Sequence, residues 1–196
     1  MAVKVDRLEG VTGLFSGQGD LFIFDTLAEA SYATASISTF TNPKSLGQIV
    51  QDSTSWDGED PEVTELKDEQ GNIITAKVAA GTLAFSFDIA STSSTMIEKF
   101  LRGVGITSTI SSDSTPWVED GIKITGFGHE IPVVTVPMAI VNDEKNKTWF
   151  YPKTKVTSNL AYADGIWRIH CACIAENINT TTLKTGMLIE AAVEYA

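Results

Sequence analysis

Residues 65–103 decide the fold, and they read ELKDEQGNIITAKVAAGTLAFSFDIASTSSTMIEKFLRG. A polar turn at 68–72 separates two strand-like runs, residues 63–67 and 73–79. Gly71 supplies the positive φ that such a turn needs without a steric clash. Two strand-like runs joined by a short polar turn predict a β-hairpin.

The run that follows this hairpin alternates between large apolar residues and small or polar ones. Its two faces carry Leu83, Phe85, Phe87 and Ile89 on one side and Thr82, Ala84, Ser86 and Asp88 on the other. Alternation with a period of two is typical of a strand with one buried face. We therefore predict a strand over 82–90 with a buried aromatic face and a polar face.

A short amphipathic helix is predicted directly after this strand. Its apolar stripe is formed by Met96, Ile97, Phe100 and Leu101, which recur at helical spacing. Thr95 and Glu98 are placed to form a capping box, and Gly103 is a natural stop. The apolar stripe should pack on the sheet.

Length and charge bound the remaining possibilities. The chain has 196 residues and a formal net charge of −11, and its pI is about 4.5. The length suits a single domain over residues 1–196, with an N-terminal arm and the first strands in 1–44. Abundant Ser, Thr and Gly between short apolar runs favour a β-rich domain, and the negative charge disfavours direct binding of nucleic acid or anionic lipid.

Several further strands are predicted along the chain. They cover the apolar run 21–24, parts of 45–56, 122–127, 131–141, 148–151, 153–160, 166–176 and 186–195, with a long loop at 107–120. Pro132 and Pro137 require an edge position or a bulge in the strand 131–141, and Pro152 is expected to start a turn. The strand 166–176 is apolar on both sides, which predicts a central strand covered on both faces.

No catalytic, cofactor or metal site is predicted. His129-Glu130 begins like a zinc-protease motif, but Val133 stands where the second His would be required. His170 should face away from Cys171 and Cys173 on a strand, which leaves two reduced structural thiols. We expect a protein that is not an enzyme, has no membrane-spanning segment and folds in a cytosol.

The acidic segment 57–62 reads DGEDPE and is predicted to be an irregular, solvated loop. Its four acids repel one another, and its Gly and Pro disfavour regular structure. A weak divalent-cation site in this loop is the alternative interpretation, although acids in turns are normally solvated.

The order of these features resembles that of phage major tail proteins, also called tail tube proteins. The resemblance covers residues 45–196 and comprises the polar hairpin, the alternating strand, the capped helix, the long loop and the segment WFYPKTKVTSN at 149–159 before a strong C-terminal strand pair. It implies a β-sandwich or partly rolled antiparallel barrel with one short flanking α-helix. It further implies stacked, hexameric rings that form the hollow tail tube through which DNA passes.

By this resemblance, subunit contacts are expected from the N-terminal arm, the loop 42–62, the hairpin tip and the C-terminal strand. The residues assigned to these contacts are Trp56, Asp57, Glu59, Asp60, Asp68, Glu69 and Asn72, and those assigned to the lumen or a neighbour are Thr82, Ser86 and Asp88. The implied partners are other copies of the chain and the tape measure, tail terminator and sheath or baseplate proteins. The implied location is the virion tail, after synthesis in the host cytoplasm.

Two other interpretations remain open. One is another virion β-sandwich, such as a tail terminator or a head decoration protein. The other is a carbohydrate-binding module, in which an aromatic platform would be formed by Trp117, Trp149, Phe150 and Tyr151.

Overall fold

We describe the protein from a computed structural model of the whole chain. The structure describes residues 20–24, 32, 39–40, 43–46, 49–60, 62–79, 81–90, 92–107, 123–128, 130–142 and 144–192. Over these residues it is mainly β, with antiparallel sheets and one short helix, and the main sheet does not close into a barrel. The predicted fold class is therefore confirmed in its β-sandwich-like form.

Twelve strands and one helix make up the described part of the chain. The strands are β1 (Asp20–Ile23), β2 (Lys44–Ser45), β3 (Ser55–Trp56), β4 (Glu62–Lys67), β5 (Ile73–Ala79), β6 (Leu83–Ile89), β7 (Val104–Thr107), β8 (Lys123–Gly126), β9 (Val133–Val141), β10 (Thr148–Ala163), β11 (Ile166–Ala175) and β12 (Met187–Ile189), and the helix α1 is Ser94–Phe100.

Eight strands form the main sheet. Their order is β2-β1-β9-β10-β11-β6-β3, and β12 lies beside the beginning of β10. All neighbours in this sheet are antiparallel. The hairpins β4–β5 and β7–β8 form two separate two-stranded sheets.

The main core lies on one face of this sheet and is closed by α1. On β6, Phe85, Phe87 and Ile89 are fully or almost fully buried, as their alternation predicted, but Leu83, predicted on the same face, is 46% exposed. Phe100 and Leu101 of the helix region belong to the same cluster, which confirms that the apolar stripe packs on the sheet. Complete burial of a side chain such as Phe87 contributes about 1.5–3 kcal/mol.

A second, smaller cluster covers the opposite face of β1, β9 and the beginning of β10. It contains Phe22, Tyr32, Phe40, Ala139, Val141, Phe150, Ile178 and Leu183. The three strands are therefore buried on both faces, and this explains the nearly continuous apolar run of β9.

Two prolines meet where β9 and β10 lose their regular register. The pairing of these strands shifts between Tyr151 and Thr154, across from Pro137, and Pro152 lies within the shift. Proline cannot donate a backbone hydrogen bond, so a bulge is the place in a central ladder where it is tolerated. Pro137 thus lies at a bulge, one of the two positions predicted for it, whereas Pro132 precedes β9. The turn predicted at Pro152 is wrong, because β10 continues to Ala163.

The prediction that the strand at 166–176 is covered on both faces is wrong. β11 is central in the sheet, but only Ile169, Cys171, Cys173 and Ala175 enter the core. On its other face Ala172 is exposed and Ile174 is 50% exposed. The apolar composition of that face therefore does not reflect burial within the isolated chain.

The helix begins earlier than the predicted capping box requires. Ser93 is the N-cap, and its side chain accepts a hydrogen bond from the backbone N–H of Met96 at 3.4 Å. At the other end Arg102 adopts the left-handed conformation with φ 54°, while the Gly103 N–H donates to the Ile97 carbonyl at 3.1 Å. Gly103 ends the helix as predicted, although the left-handed residue is the one before it.

Other predicted elements are shorter than expected or lie outside the described residues. The C-terminal strand is confined to β12, and residues 193–196 are outside the described part, as are 1–19, most of 25–42 and 108–122. The N-terminal arm and the long loop at 107–120 therefore stay largely predictions.

Candidate functional site

The β4–β5 hairpin carries an unusual amount of exposed apolar surface. All of its side chains that the structure describes are exposed, including Val63, Leu66, Ile73 and Ile74 at 55–63%. An isolated two-stranded hairpin is only marginally stable in water. Four exposed aliphatic side chains on such a ribbon indicate a surface that contacts another molecule.

The tip of this hairpin is built around the Asp68 carboxylate. It accepts hydrogen bonds from the backbone N–H groups of Gln70 at 2.9 Å and Asn72 at 2.8 Å, and from the Asn72 side chain at 3.0 Å. These bonds, the one from the Asn72 side chain foremost, lower the pKa of Asp68. Gly71 has φ 85°, as the predicted turn required. The predicted contact residues Asp68, Glu69 and Asn72 therefore form a preorganised, exposed tip.

The acidic loop is irregular at residues 57–60, as predicted, but Glu62 already belongs to β4. The backbone of 57–60 lies directly against the chain that leaves the hairpin. The Asp57 N–H donates to the Ala84 carbonyl at 3.1 Å, and the Glu59 N–H donates to Thr82 Oγ1 at 3.3 Å. A Cβ at Gly58 would lie 2.7 Å from the Thr82 carbonyl oxygen. We call residues 57–60 and 81–84 the stem, because they connect the hairpin to the sheet.

Three predicted contact residues, Asp57, Glu59 and Asp60, are exposed acids on this stem. Asp57 accepts a hydrogen bond from Ser55 Oγ at 2.7 Å. In the part of the chain that the structure describes, none of these acids forms an ion pair. The stem thus presents three uncompensated negative charges to solvent.

An aromatic groove lies beside the stem. Ring centroids of Trp56 and Phe85 are 5.1 Å apart, and those of Phe85 and Tyr151 are 5.3 Å apart. The groove encloses about 160 Å³ and is lined by Trp56, Gly58, Leu83, Ala84, Phe85 and Tyr151. Trp56 is 49% exposed and Leu83 is 46% exposed, so the apolar lining is open to solvent.

The residues predicted to face the lumen or a neighbour are separated by the structure. Thr82 belongs to the stem, whereas Ser86 and Asp88 lie on the non-core face of β6 and are partly buried. Asp88 Oδ2 accepts from Arg168 Nη1 at 3.0 Å, and Asp88 Oδ1 lies 2.7 Å from His170 Nδ1. Arg168 Nη2 also donates to Asp164 at 2.8 Å. Asp88 therefore holds β6 to β11 by an ion pair.

The Asp88–His170 pair has the geometry of the acid–base half of a catalytic triad, which would also require a nucleophile beside the imidazole. Among the described residues, no hydroxyl or thiol is hydrogen-bonded to the His170 ring. Cys171 and Cys173 are buried on the opposite face of β11, where desolvation raises the pKa of both thiols. The described part of the chain also contains no group of three His, Cys, Asp or Glu side chains that could hold a metal ion.

Within the described residues, no helix is long and apolar enough to cross a bilayer.

Two features of this surface were not predicted from the sequence. The groove joins Trp56 and Leu83 to Tyr151, which is far away along the chain. An exposed aromatic pair, Tyr162 and Trp167, lies next to the β10–β11 turn with ring centroids 5.1 Å apart. The turn at Asp164 and Gly165, both with positive φ, is a recognisable two-residue hairpin signal that could have placed these two rings opposite each other.

The aromatic platform considered for carbohydrate binding does not form as predicted. Phe150 and Tyr151 are buried, on opposite faces of β10. Trp149 is partly buried against the main core, and Trp117 lies outside the described residues. Adjacent residues on a strand point to opposite sides, so the three consecutive aromatic residues cannot share one surface.

Comparison with known proteins gave no match to a protein-family model and no significant match to a curated protein.

Proposed function

We propose that this chain is a structural subunit of a phage virion that assembles into stacked, hexameric rings and so forms the hollow tail tube for DNA passage. The observation that carries the proposal is the exposed β4–β5 hairpin. It presents Val63, Leu66, Ile73 and Ile74 to solvent, and among the described elements its two strands contact mainly each other. Such a ribbon gains stability when a neighbouring subunit covers it.

The charge and the sheet support the same proposal. The formal net charge of −11 suits a channel that DNA must pass without adhering, since a basic wall would bind phosphates by counterion release. One end of the main sheet is the two-residue strand β3, and an edge strand is a place where a neighbouring subunit can add a strand. In this proposal the rings also contact tape measure, tail terminator and sheath or baseplate proteins.

Electron microscopy of the purified full-length protein tests this function. We expect rings or tubes in negative stain at high protein concentration. A variant in which residues 62–79 are replaced by a short Gly-Ser linker should keep the main sheet and remain monomeric. In the described part of the chain, β4 and β5 pair only with each other.

The control variant for this experiment is Ile131→Ser. It removes an aliphatic side chain that lies away from the hairpin and is 81% exposed. This variant should assemble like the wild type. A wild-type protein that stays monomeric at all concentrations would contradict the proposal, and single rings that never stack would favour a tail terminator instead.

A carbohydrate-binding module is the second candidate, and the exposed Tyr162–Trp167 pair is the observation that favours it. The two side chains are 61% and 56% exposed, and exposed aromatic rings provide the flat apolar faces on which sugars stack. A glycan array separates the candidates. Suppose that the wild-type protein binds a glycan, remains monomeric, and loses this binding in Trp167→Ala. The carbohydrate-binding module would then replace the tail tube as the proposed function.

A further inference from the structure

We infer that the Leu66 side chain of one copy of this chain inserts into the aromatic groove of a second copy, while Lys77 of the first copy pairs with the stem acids of the second. This contact rests on the proposed self-assembly and specifies how one copy recognises the next.

The hairpin register defines the surface that inserts. Leu66 pairs with Thr75, and Thr64 pairs with Lys77. Residues directly opposite each other, and residues two apart on one strand, share a face. By register, the same face also contains the Glu62–Ala79 pair. Leu66 is the one large apolar residue of this face, and it is 58% exposed. A single large aliphatic side chain is suited to a socket rather than to a broad apolar interface.

The groove provides a socket of matching size and chemistry. It encloses about 160 Å³ between Trp56, Leu83, Phe85 and Tyr151. An apolar cavity of about 150 Å³ in another protein accommodates benzene, so this groove has room for one branched aliphatic side chain. Leu66 is not among the residues that line the groove of its own chain, and it is free to enter that of another.

Charge complementarity selects a second copy as the occupant. Asp57 and Glu59 flank the groove-lining residue Gly58, and Asp60 follows. In the described part of the chain these acids form no ion pair, and neither does the exposed Lys77. Lys77 is the diagonal neighbour of Leu66 across the hairpin, about 7–8 Å away at the backbone. A hairpin whose Leu66 enters the groove thus brings its unpaired cation to the acidic rim.

The two halves of this contact lie at different places on the chain. Each copy donates a hairpin and accepts another in its groove, so the contact is heterologous and propagates from copy to copy. Heterologous contacts close into rings or continue as filaments, depending on the rotation between subunits. The same contact could therefore build either a ring or a stack.

Site-specific cross-linking of the full-length chain tests the contact. Leu66→Cys and Leu83→Cys are made separately, mixed and treated with a short bis-maleimide. Cys171 and Cys173 are buried, so the engineered thiols should be the ones that react. We expect cross-linked dimers in the mixture, none from either variant alone, and a ladder of higher oligomers from the double variant. Ile131→Cys mixed with Leu83→Cys measures random collision, and Ala84→Cys replaces Leu83→Cys if that variant does not fold.

Charge reversal provides a second, independent measurement. Lys77→Glu should raise the protein concentration at half-assembly about tenfold, and combining it with Glu59→Lys should restore most of the loss. Leu66→Ser should raise the same concentration by tenfold or more, since the apolar side chain that fills the groove is lost.

The outcomes separate this inference from the proposed function. The Leu66 contact would be overturned if the mixture gave no cross-links while both the wild type and Leu66→Ser assembled normally. The tube proposal would still stand in that case. Cross-links in oligomers that are not rings or tubes would support the contact and count against the tube. A wild type that never assembles and a mixture without cross-links would overturn both.

Discussion

Gly81 lies so close to Glu59 that a side chain at position 81 would collide with the Glu59 carbonyl oxygen. That oxygen belongs to the backbone and cannot rotate away. Gly81→Ala should therefore force the two halves of the stem apart and lower the free energy of unfolding by about 1–3 kcal/mol. Urea denaturation followed by tryptophan fluorescence measures this change, because Trp56 adjoins the stem.

The matched control is Gly126→Ala. No atom of the described residues lies within 4 Å of a Cβ built at Gly126, and the φ of Gly126 is not positive. The stability of Gly126→Ala should therefore change by less than about 0.5 kcal/mol. Equal losses of unfolding free energy in Gly81→Ala and Gly126→Ala would show that the stem does not need a glycine at position 81.

The ion pair between Asp88 and Arg168 should contribute more to the free energy of unfolding than the ion pair between Arg168 and Asp164 at the surface. The side chains of Asp88 and Arg168 are 14% and 10% exposed, and Asp88→Asn leaves the guanidinium with only Asp164, which is 87% exposed. We expect a loss of about 2 kcal/mol in unfolding free energy. Asp164→Asn is the comparison, and it should cost less than about 1 kcal/mol. Thermal and urea unfolding of both variants measure these losses. A larger loss in Asp164→Asn than in Asp88→Asn would contradict the prediction.

The Glu176 carboxyl should make the free energy of unfolding depend on pH in the acid range. Hydrogen bonds from Lys155 and then Lys153 lower the pKa of this carboxyl below 4.5. A group whose pKa is lower in the folded state adds stability above its unfolded pKa, and this stability disappears as the pH falls through the folded pKa. Glu176→Gln should thus be less stable than wild type at pH 7, and the difference should shrink below about pH 4.5.

Unfolding curves between pH 7 and pH 3 measure this dependence. In a Lys155→Met background, Glu176→Gln should cost less stability than it does in the wild type. Part of the cost should persist, because Lys153 still pairs with Glu176. A difference between wild type and Glu176→Gln that is constant with pH would contradict the linkage.

Cys171 and Cys173 should be inert in the folded protein. Burial raises the pKa of Cys171 to about 12 and raises that of Cys173 as well, and only a thiolate is an effective nucleophile. Ellman's reagent at pH 8 should titrate no thiol in the native state and two in denaturant. Rapid reaction of either thiol without denaturant would show that β11 opens readily.

Local patterns in the sequence were sufficient to predict β6, α1 and the hairpin. Each depends on residues close to one another along the chain: the alternation of Phe85, Phe87 and Ile89, the helical stripe, and the turn around Gly71. These patterns report a period of two or 3.6 residues and require no knowledge of distant partners.

Features that depend on long-range pairing were missed. Pro152 looks like a turn because its neighbours along the chain do not show that Pro137 lies across from it. The open face of β11 was missed because its apolar composition does not show whether another layer of the same chain covers it. The groove likewise needs β3, β6 and β10 to meet before Trp56 and Tyr151 can line it together.

The bulge in β10 also limits where the chain can change length. One side of β10 is shared by two strands, β12 along residues 148–150 and β11 along residues 154–163. Neither strand can lengthen into the other's part of the ladder, and one residue inserted into β10 would turn all later side chains to the wrong face. The connection between β11 and β12 is different, because Thr181 and Thr182 form an exposed turn between the buried residues Ile178 and Leu183. An epitope tag or a fluorescent peptide inserted at that turn should leave the sheet intact and make each subunit visible in the assembled particle.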